Sequence, residues 1–238
     1  MDNFLIISIF NFTAALVCLT ATAKMYFAVK KNPENIKIRY FFYSFIFITV
    51  YLFTAGLPIV IVKNAFSVSV ITFLFVPFLL IGGMFLTLTA INFTKFQKYE
   101  KPYIYTLLFT VLFSSFLTFW GLKDIGGFNG IEYWFRPDSI LVVWGMIIAS
   151  IFFITSLLFT TFFYLRFAQK NKKSDIAFGR SVMIAEGCFF FLLAVFFNNI
   201  VGITAERFLM ANVIASIFYM TGAICFISSV VYQGKKKV

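Results

Sequence analysis

Apolar residues follow one another in long blocks, and the short polar stretches between the blocks hold nearly all of the charge. Seven blocks cover approximately residues 4–26, 39–62, 67–93, 103–122, 139–165, 178–202 and 208–232. A helix rises about 1.5 Å per residue, so each block is long enough to cross a hydrocarbon layer of roughly 30 Å. The pattern predicts an all-α polytopic membrane protein, a single seven-transmembrane-helix bundle over residues 1–238. Short connections leave no length for a soluble catalytic or DNA-binding domain. Pro77 and Gly82-Gly83 fall inside the third block, where neighbouring helices are expected to satisfy any freed backbone groups.

Orientation follows from the basic residues. Sixteen of the twenty Lys and Arg lie in the first, third and fifth connections and the C-terminal tail, and four lie in the other connections. That asymmetry predicts an N-terminus outside and a C-terminus inside. It also accounts for the net charge of +11 as short loops attracted to anionic lipid headgroups, with no folded module to present them to a nucleic acid. Ala21-Thr22-Ala23 imitates a signal-peptidase site, but no basic residue precedes the first block and Lys24, Lys30 and Lys31 follow it, so that span is expected to be retained.

Composition agrees, with 61% hydrophobic and 12% charged residues and a mean hydropathy of +0.95. The expected location is the plasma membrane of a bacterium or archaeon. The 37 Phe are read as large apolar groups at lipid-facing positions in an A/T-rich coding background. Cys18, Cys188 and Cys225 all fall within spans, which indicates no disulfide framework. The longest external connection holds Tyr133-Trp134-Phe135, rings suited to the headgroup layer, so Tyr133 and Trp134 are candidate external-loop residues.

Two connections look alike. Phe27-Ala-Val-Lys-Lys-Asn-Pro-Glu-Asn-Ile-Lys-Ile-Arg39 and Phe167-Ala-Gln-Lys-Asn-Lys-Lys-Ser-Asp-Ile-Ala-Phe-Gly-Arg180 each leave a span through Phe-Ala, turn at Lys and Asn, and reach an Arg. Either basic cytoplasmic turns converge on this composition, or spans one to three and five to seven are parallel repeats joined by the fourth, a 3+1+3 plan. The first connection, with Lys30-Lys31-Asn32-Pro33, Arg39 and the following Phe41-Phe42, resembles the seven-helix sensor modules of bacterial membrane histidine kinases. The resemblance covers the topology and that one loop; those proteins continue into signalling domains, whereas this sequence stops at Val238. The plan is also similar to microbial rhodopsins, yet the last span contains no Lys to form a retinal Schiff base. Small sugar transporters of the PQ-loop type share the plan too, but carry a Pro in the first span of each repeat, and spans one and five have none.

The chemistry available is narrow. The chain contains no His, which removes His-ligated haem, Ser-His-Asp triads and His-Glu-x-x-His zinc sites. No pair of acids shares the membrane interior, so an aspartyl protease has nothing to build with. No catalytic residue, metal site or cofactor is assigned, and the chain is not read as an enzyme. One acid, Glu186, sits well inside the sixth block and is expected to face the protein interior, neutral or paired. Thr49, Tyr51, Thr87 and Thr221 fall at a similar depth and are candidates to hydrogen-bond it as a ligand or proton site. The three thiols with Glu186 form a conceivable ligand set, but cysteine serves more often as a small filler. Asn198 and Asn199, with Glu206 and Arg207, read as interfacial caps, and Ala14, Cys18 and Thr22, like Ala211 and Ala215, suit close helix contact.

Two functions fit. The first is a sensor or receptor-like module that binds a small or lipid-like ligand and acts through a cytoplasmic or membrane signalling partner. The second is a small-solute transporter, proton-coupled through Glu186.

Overall fold

A computed structural model describes residues 3–56, 65–93, 95–123, 140–199 and 205–232. Among them are seven α-helices: α1 (Asn3–Lys31), α2 (Ile36–Gly56), α3 (Ala65–Asn92), α4 (Glu100–Lys123), α5 (Ile140–Lys170), α6 (Asp175–Asn199) and α7 (Ala205–Val231), with a one-turn 3-10 helix, Lys95–Tyr99, ahead of α4. Six of them contain stretches long and apolar enough to cross a membrane, and Pro77–Asn92 within α3 is a shorter apolar helix among the residues searched. The chain is a polytopic helical membrane protein. Pro77 lies within α3 without ending it.

The helices overrun the apolar blocks because local capping, which hydropathy ignores, sets their ends. Helix α1 runs on through Lys31, and α5 through Lys170. Basic residues in a last turn complement the negative end of the helix dipole. The turn between α1 and α2 and the turn between α5 and α6 share one hydrogen-bond pattern. The Asn32 amide donates to the carbonyls of Ala28 and Val29, the Asn35 amide to Asn32 O, and Asn35 Oδ1 accepts from the amides of Lys37 and Ile38. The Asn171 amide likewise donates to Phe167 O and Ala168 O, the Ser174 amide to Asn171 O, and Ser174 Oγ accepts from the amide of Ala177. Asn and Ser are effective N-caps because their side-chain oxygens satisfy first-turn amides that have no intrahelical acceptor.

Each helix packs on its neighbours in sequence, and α1 packs on α7 to close the ring, while α3 also touches α5. Helix α4 therefore lies outside a six-helix circuit of α1, α2, α3, α5, α6 and α7. It covers the α3–α5 seam and leaves Tyr105, Phe109 and Leu112 exposed. Between apolar helices in lipid, burial gives little driving force, so close contact of small residues holds the bundle. A Cβ on Gly222 would lie 2.9 Å from Gly187 O, and one on Gly187 would lie 3.1 Å from Gly222 O, so α6 and α7 meet backbone to backbone. Ser44 of α2 donates to Gly82 O of α3 at 2.8 Å, close to where a Cβ on Gly82 would strike Ile48. Ala14, Ala211 and Ala215 are buried, as their spacing predicts.

The core is aromatic. Rings follow one another from Tyr51 to Tyr219 (6.1 Å between centroids), Phe191 (5.6 Å), Phe226 (5.5 Å), Phe41 (5.9 Å) and Tyr164 (6.3 Å). Phe45, fully buried, braces the column at 5.0 Å from Phe226. Part of the Phe content read as lipid-facing thus forms the centre of the fold. At the C-terminal end of α7, Tyr232 packs over Gly179, its carbonyl accepts from Arg180 Nε at 3.1 Å, and its hydroxyl donates to Asp175 at 3.3 Å. Desolvation and the Asp175 carboxylate raise the pKa of that phenol.

Candidate functional site

The structure corrects the expectation for Glu186. Its depth in α6 is as expected, about 16 Å from the start of the helix at 1.5 Å per residue, but its side chain is exposed on the outer surface rather than turned into the bundle. The reason is rotational. Ala185, Cys188 and Phe191 take the inward face of α6, and the neighbouring position 186 points away from it. Cys225 of α7 lies beside Glu186 across the α6–α7 seam.

The four residues proposed to surround Glu186 do not converge on it. Thr49 is buried and shares a 3.2 Å hydrogen bond with Thr22 of α1. Thr87 is buried against α5, 3.2 Å from Ser156 O and 3.3 Å from Thr160 Oγ1, where Tyr103 and Ser156 also share a 2.9 Å hydrogen bond. Thr221 donates to its own helix at Ile217 O. Tyr133 and Trp134 lie outside the described residues. The thiols do not converge either: Cys18 and Cys188 are fully buried and Cys225 is partly exposed, and among the described residues no three His, Cys, Asp or Glu side chains come together to hold a metal.

Thr87 thus belongs to one polar group, between α3, α4 and α5, and Tyr51 to another. At the end of the bundle away from the Asn32 and Asn171 turns, α1, α2, α6 and α7 enclose a set of uncharged hydrogen-bonding side chains. Half-buried Asn198, near the end of α6, donates from Nδ2 to the Tyr51 hydroxyl at 3.2 Å, so it pairs with α2 as well as lying at the helix end. Ser216 of α7 donates to Asn11 Oδ1 of α1 at 3.0 Å, with Asn212 O within 2.9 Å as a second acceptor. Ser8 of α1 donates to Gly56 O of α2 at 3.1 Å. The Tyr219 hydroxyl faces Tyr51 but makes no hydrogen bond of good geometry, although the residue is only 2% exposed. A buried polar atom without a partner costs about 1–3 kcal/mol, so such an atom needs an explanation.

Amides, hydroxyls and phenols without an acid or a base suit recognition of an uncharged polar group, and are poorly suited to proton transfer. Sequence reading missed Asn11, Asn212 and Ser216, although a polar residue inside an apolar block was a usable signal for each. It also missed Glu100, whose carboxylate accepts from Tyr40 at 2.6 Å and from Asn92 at 3.2 Å where α2, α3 and α4 meet. That acid opens α4, where the helix dipole favours negative charge. No family model, curated protein or solved structure matches the chain.

Proposed function

We propose that the protein is a sensor or receptor-like membrane module that binds a small uncharged ligand between α1, α2, α6 and α7 and passes the event to a signalling partner. The observation that carries this reading is the group of buried Tyr51 and Tyr219 with half-buried Asn198, in which the Tyr219 hydroxyl has no well-formed bond. It caps an aromatic column running to Tyr164. A ligand that repositioned Tyr219 would press on that column, which supplies a path toward the opposite end. On the distribution of basic residues the Lys-rich turns face the cytoplasm and the polar group faces outward, with the N-terminus outside.

The test is a thermal-stability screen of the purified full chain against neutral polyols, amides and nucleosides. A ligand at 100 times its Kd stabilises by about 2.7 kcal/mol. Stabilisation by a hit is expected to vanish in Tyr51→Phe and Asn198→Ala. A hit that stabilises both variants as well as the native chain binds elsewhere, and the reading fails.

A second reading, a small-solute transporter, is favoured by a correspondence between halves. Asn32 and Asn171, or Asn35 and Ser174, are 139 positions apart. At that spacing Asn11 and Ser150, Ala14 and Phe153, Cys18 and Leu157, Ala21 and Thr160, and Met25 and Tyr164 are buried pairs in α1 and α5. Ile48 and Gly187, at the close approaches of α2 to α3 and of α6 to α7, match as well. This register supports the 3+1+3 repeat, one residue away from pairing Phe27 with Phe167. Net uptake of a hit into vesicles would favour transport, and saturable binding without uptake would favour sensing. Glu186 faces away from the interior, so neither reading uses it as an axial coupling site.

A further inference from the structure

Thr161 and Tyr164 of α5 carry two buried hydroxyls that no group of the described residues satisfies. They lie three positions apart on one face of the helix and are 8% and 2% exposed. Every other threonine whose side chain is described donates to a carbonyl of its own helix or shares a bond with another hydroxyl. Thr161 does neither. Helix α5 packs on α3, α4 and α6. Its α3 side is marked by Thr160, bonded to Thr87, and its α4 side by Ser156, bonded to Tyr103, which leaves the buried Thr161 facing α6. There the polar neighbour of Tyr164 is the fully buried thiol of Cys188. At the spacing of 139 positions, Thr161 and Cys188 match Thr22 and Thr49, which satisfy each other across α1 and α2 at 3.2 Å. Between α5 and α6 a thiol replaces the second hydroxyl and a phenol replaces Met25, so polar groups outnumber the partners that the chain supplies.

We infer that Thr161, Tyr164 and Cys188 hold one uncharged hydroxyl oxygen between α5 and α6, from a water or a small alcohol. The chemistry of the three groups selects it. Two hydroxyls that both donate and accept, with a thiol that does each weakly, complement a hydroxyl and offer nothing to a charge. Buried waters typically make about three hydrogen bonds, to polar groups that otherwise have no partner. The surroundings limit size, since Phe163, Phe93 and Phe41 enclose the Tyr164 ring at 5.2, 6.1 and 6.3 Å between centroids. Tyr164 ends the aromatic column that Tyr51 and Tyr219 begin, so this position is separate from the ligand site between α1, α2, α6 and α7.

The experiment follows reversible unfolding of the purified full chain in mixed detergent and SDS micelles, in alcohol-free buffer and again with ethylene glycol. Tyr164→Phe and Thr161→Val keep the side-chain shape and remove one hydroxyl each. Each is expected to raise the unfolding constant about five-fold, and the double variant by clearly less than the product, because the first loss already releases the shared oxygen. A full effect without alcohol assigns the oxygen to water. Infrared O–H bands lost in Tyr164→Phe should then shift in heavy-oxygen water, whose oxygen neither side-chain nor alcohol hydroxyls take up. An effect seen only with ethylene glycol assigns the oxygen to an alcohol. An unfolding constant unchanged or lowered in either single variant, in both buffers, means hydroxyls that hold nothing and overturns the site. Effects that multiply in full mean that the two hydroxyls share no ligand and overturn it equally. A readout on the folded protein is the S–H stretch of Cys188, identified by its loss in Cys188→Ala. It is expected to move in Thr161→Val, and a band that stays in place in both single variants overturns the three-group site.

Discussion

Adding one methyl group at Gly222 tests the helix contact on which half the bundle depends. In Gly222→Ala the new Cβ would lie 2.5 and 2.7 Å from the Phe191 ring and 2.9 Å from Gly187 O. The ring could rotate only into Phe226 and Tyr219, 5.5 and 5.6 Å away between centroids, and the carbonyl belongs to backbone that moves only with its helix. Overpacking of a tight core costs typically ~1–3 kcal/mol. Because one of the clashes is with backbone, the upper half of that range, about 2–3 kcal/mol, applies; replacing Gly by Ala in a helix returns about 1 kcal/mol of propensity, so the net loss is about 1–2 kcal/mol. Gly56→Ala provides the contrast, since its Cβ would meet nothing closer than 3.4 Å, an ordinary contact with the Phe12 ring. The assay is reversible unfolding of the purified chain in mixed detergent and SDS micelles, followed by Trp fluorescence. Gly222→Ala is expected to unfold at lower SDS, and Gly56→Ala at the native value or above it. If Gly222→Ala matches the native chain within about 0.3 kcal/mol, α6 and α7 are not in backbone contact and the packing argument fails.

Other perturbations have equally definite outcomes. Glu100→Ala removes the acceptor of both Tyr40 and Asn92 and should cost ~1–3 kcal/mol in the same assay; Glu100→Gln, which keeps one acceptor, should cost less than half as much. A membrane-permeant maleimide should label Cys225 in the folded protein and reach Cys18 and Cys188 only on unfolding, so fast labelling of all three would contradict their burial. A reporter fused after Val238 should be cytoplasmic and one inserted at Asn129 external. Access to Asn129 from the cytoplasm alone would invert the proposed orientation.

The helices were legible in the sequence because bilayer thickness sets the length of an apolar block, and among the described residues each block holds a helix, six of them long and apolar enough to cross a membrane. Their ends were less so. Span two was placed from residue 39 on hydropathy, although Asn35, an evident cap, starts α2 at Ile36. Rotation was hardest to read, since a helix that packs on protein and lipid alike is apolar on every side. Thr49, Tyr51 and Thr87 proved to be interior, yet Glu186 at a similar depth faces outward. Depth is counted along the chain, whereas facing depends on what every other helix does. Asn198 shows the same limit, since its role follows from Tyr51, a residue 147 positions away.

The placement of α4 outside the six-helix circuit has a consequence of parity. On the proposed 3+1+3 plan, three crossings end on the side opposite to their start, so a second triplet joined directly to α3 would be threaded upside down. Its Asn171 to Ser174 turn would then fall on the face opposite the Asn32 to Asn35 turn. One additional crossing restores the sense, and it need contribute little to the interior to do so. In the proposed orientation, a chain lacking α4 would therefore have to carry Arg166, Lys170, Lys172, Lys173 and Arg180 to the side opposite the other Lys-rich turn, or leave a helix uninserted.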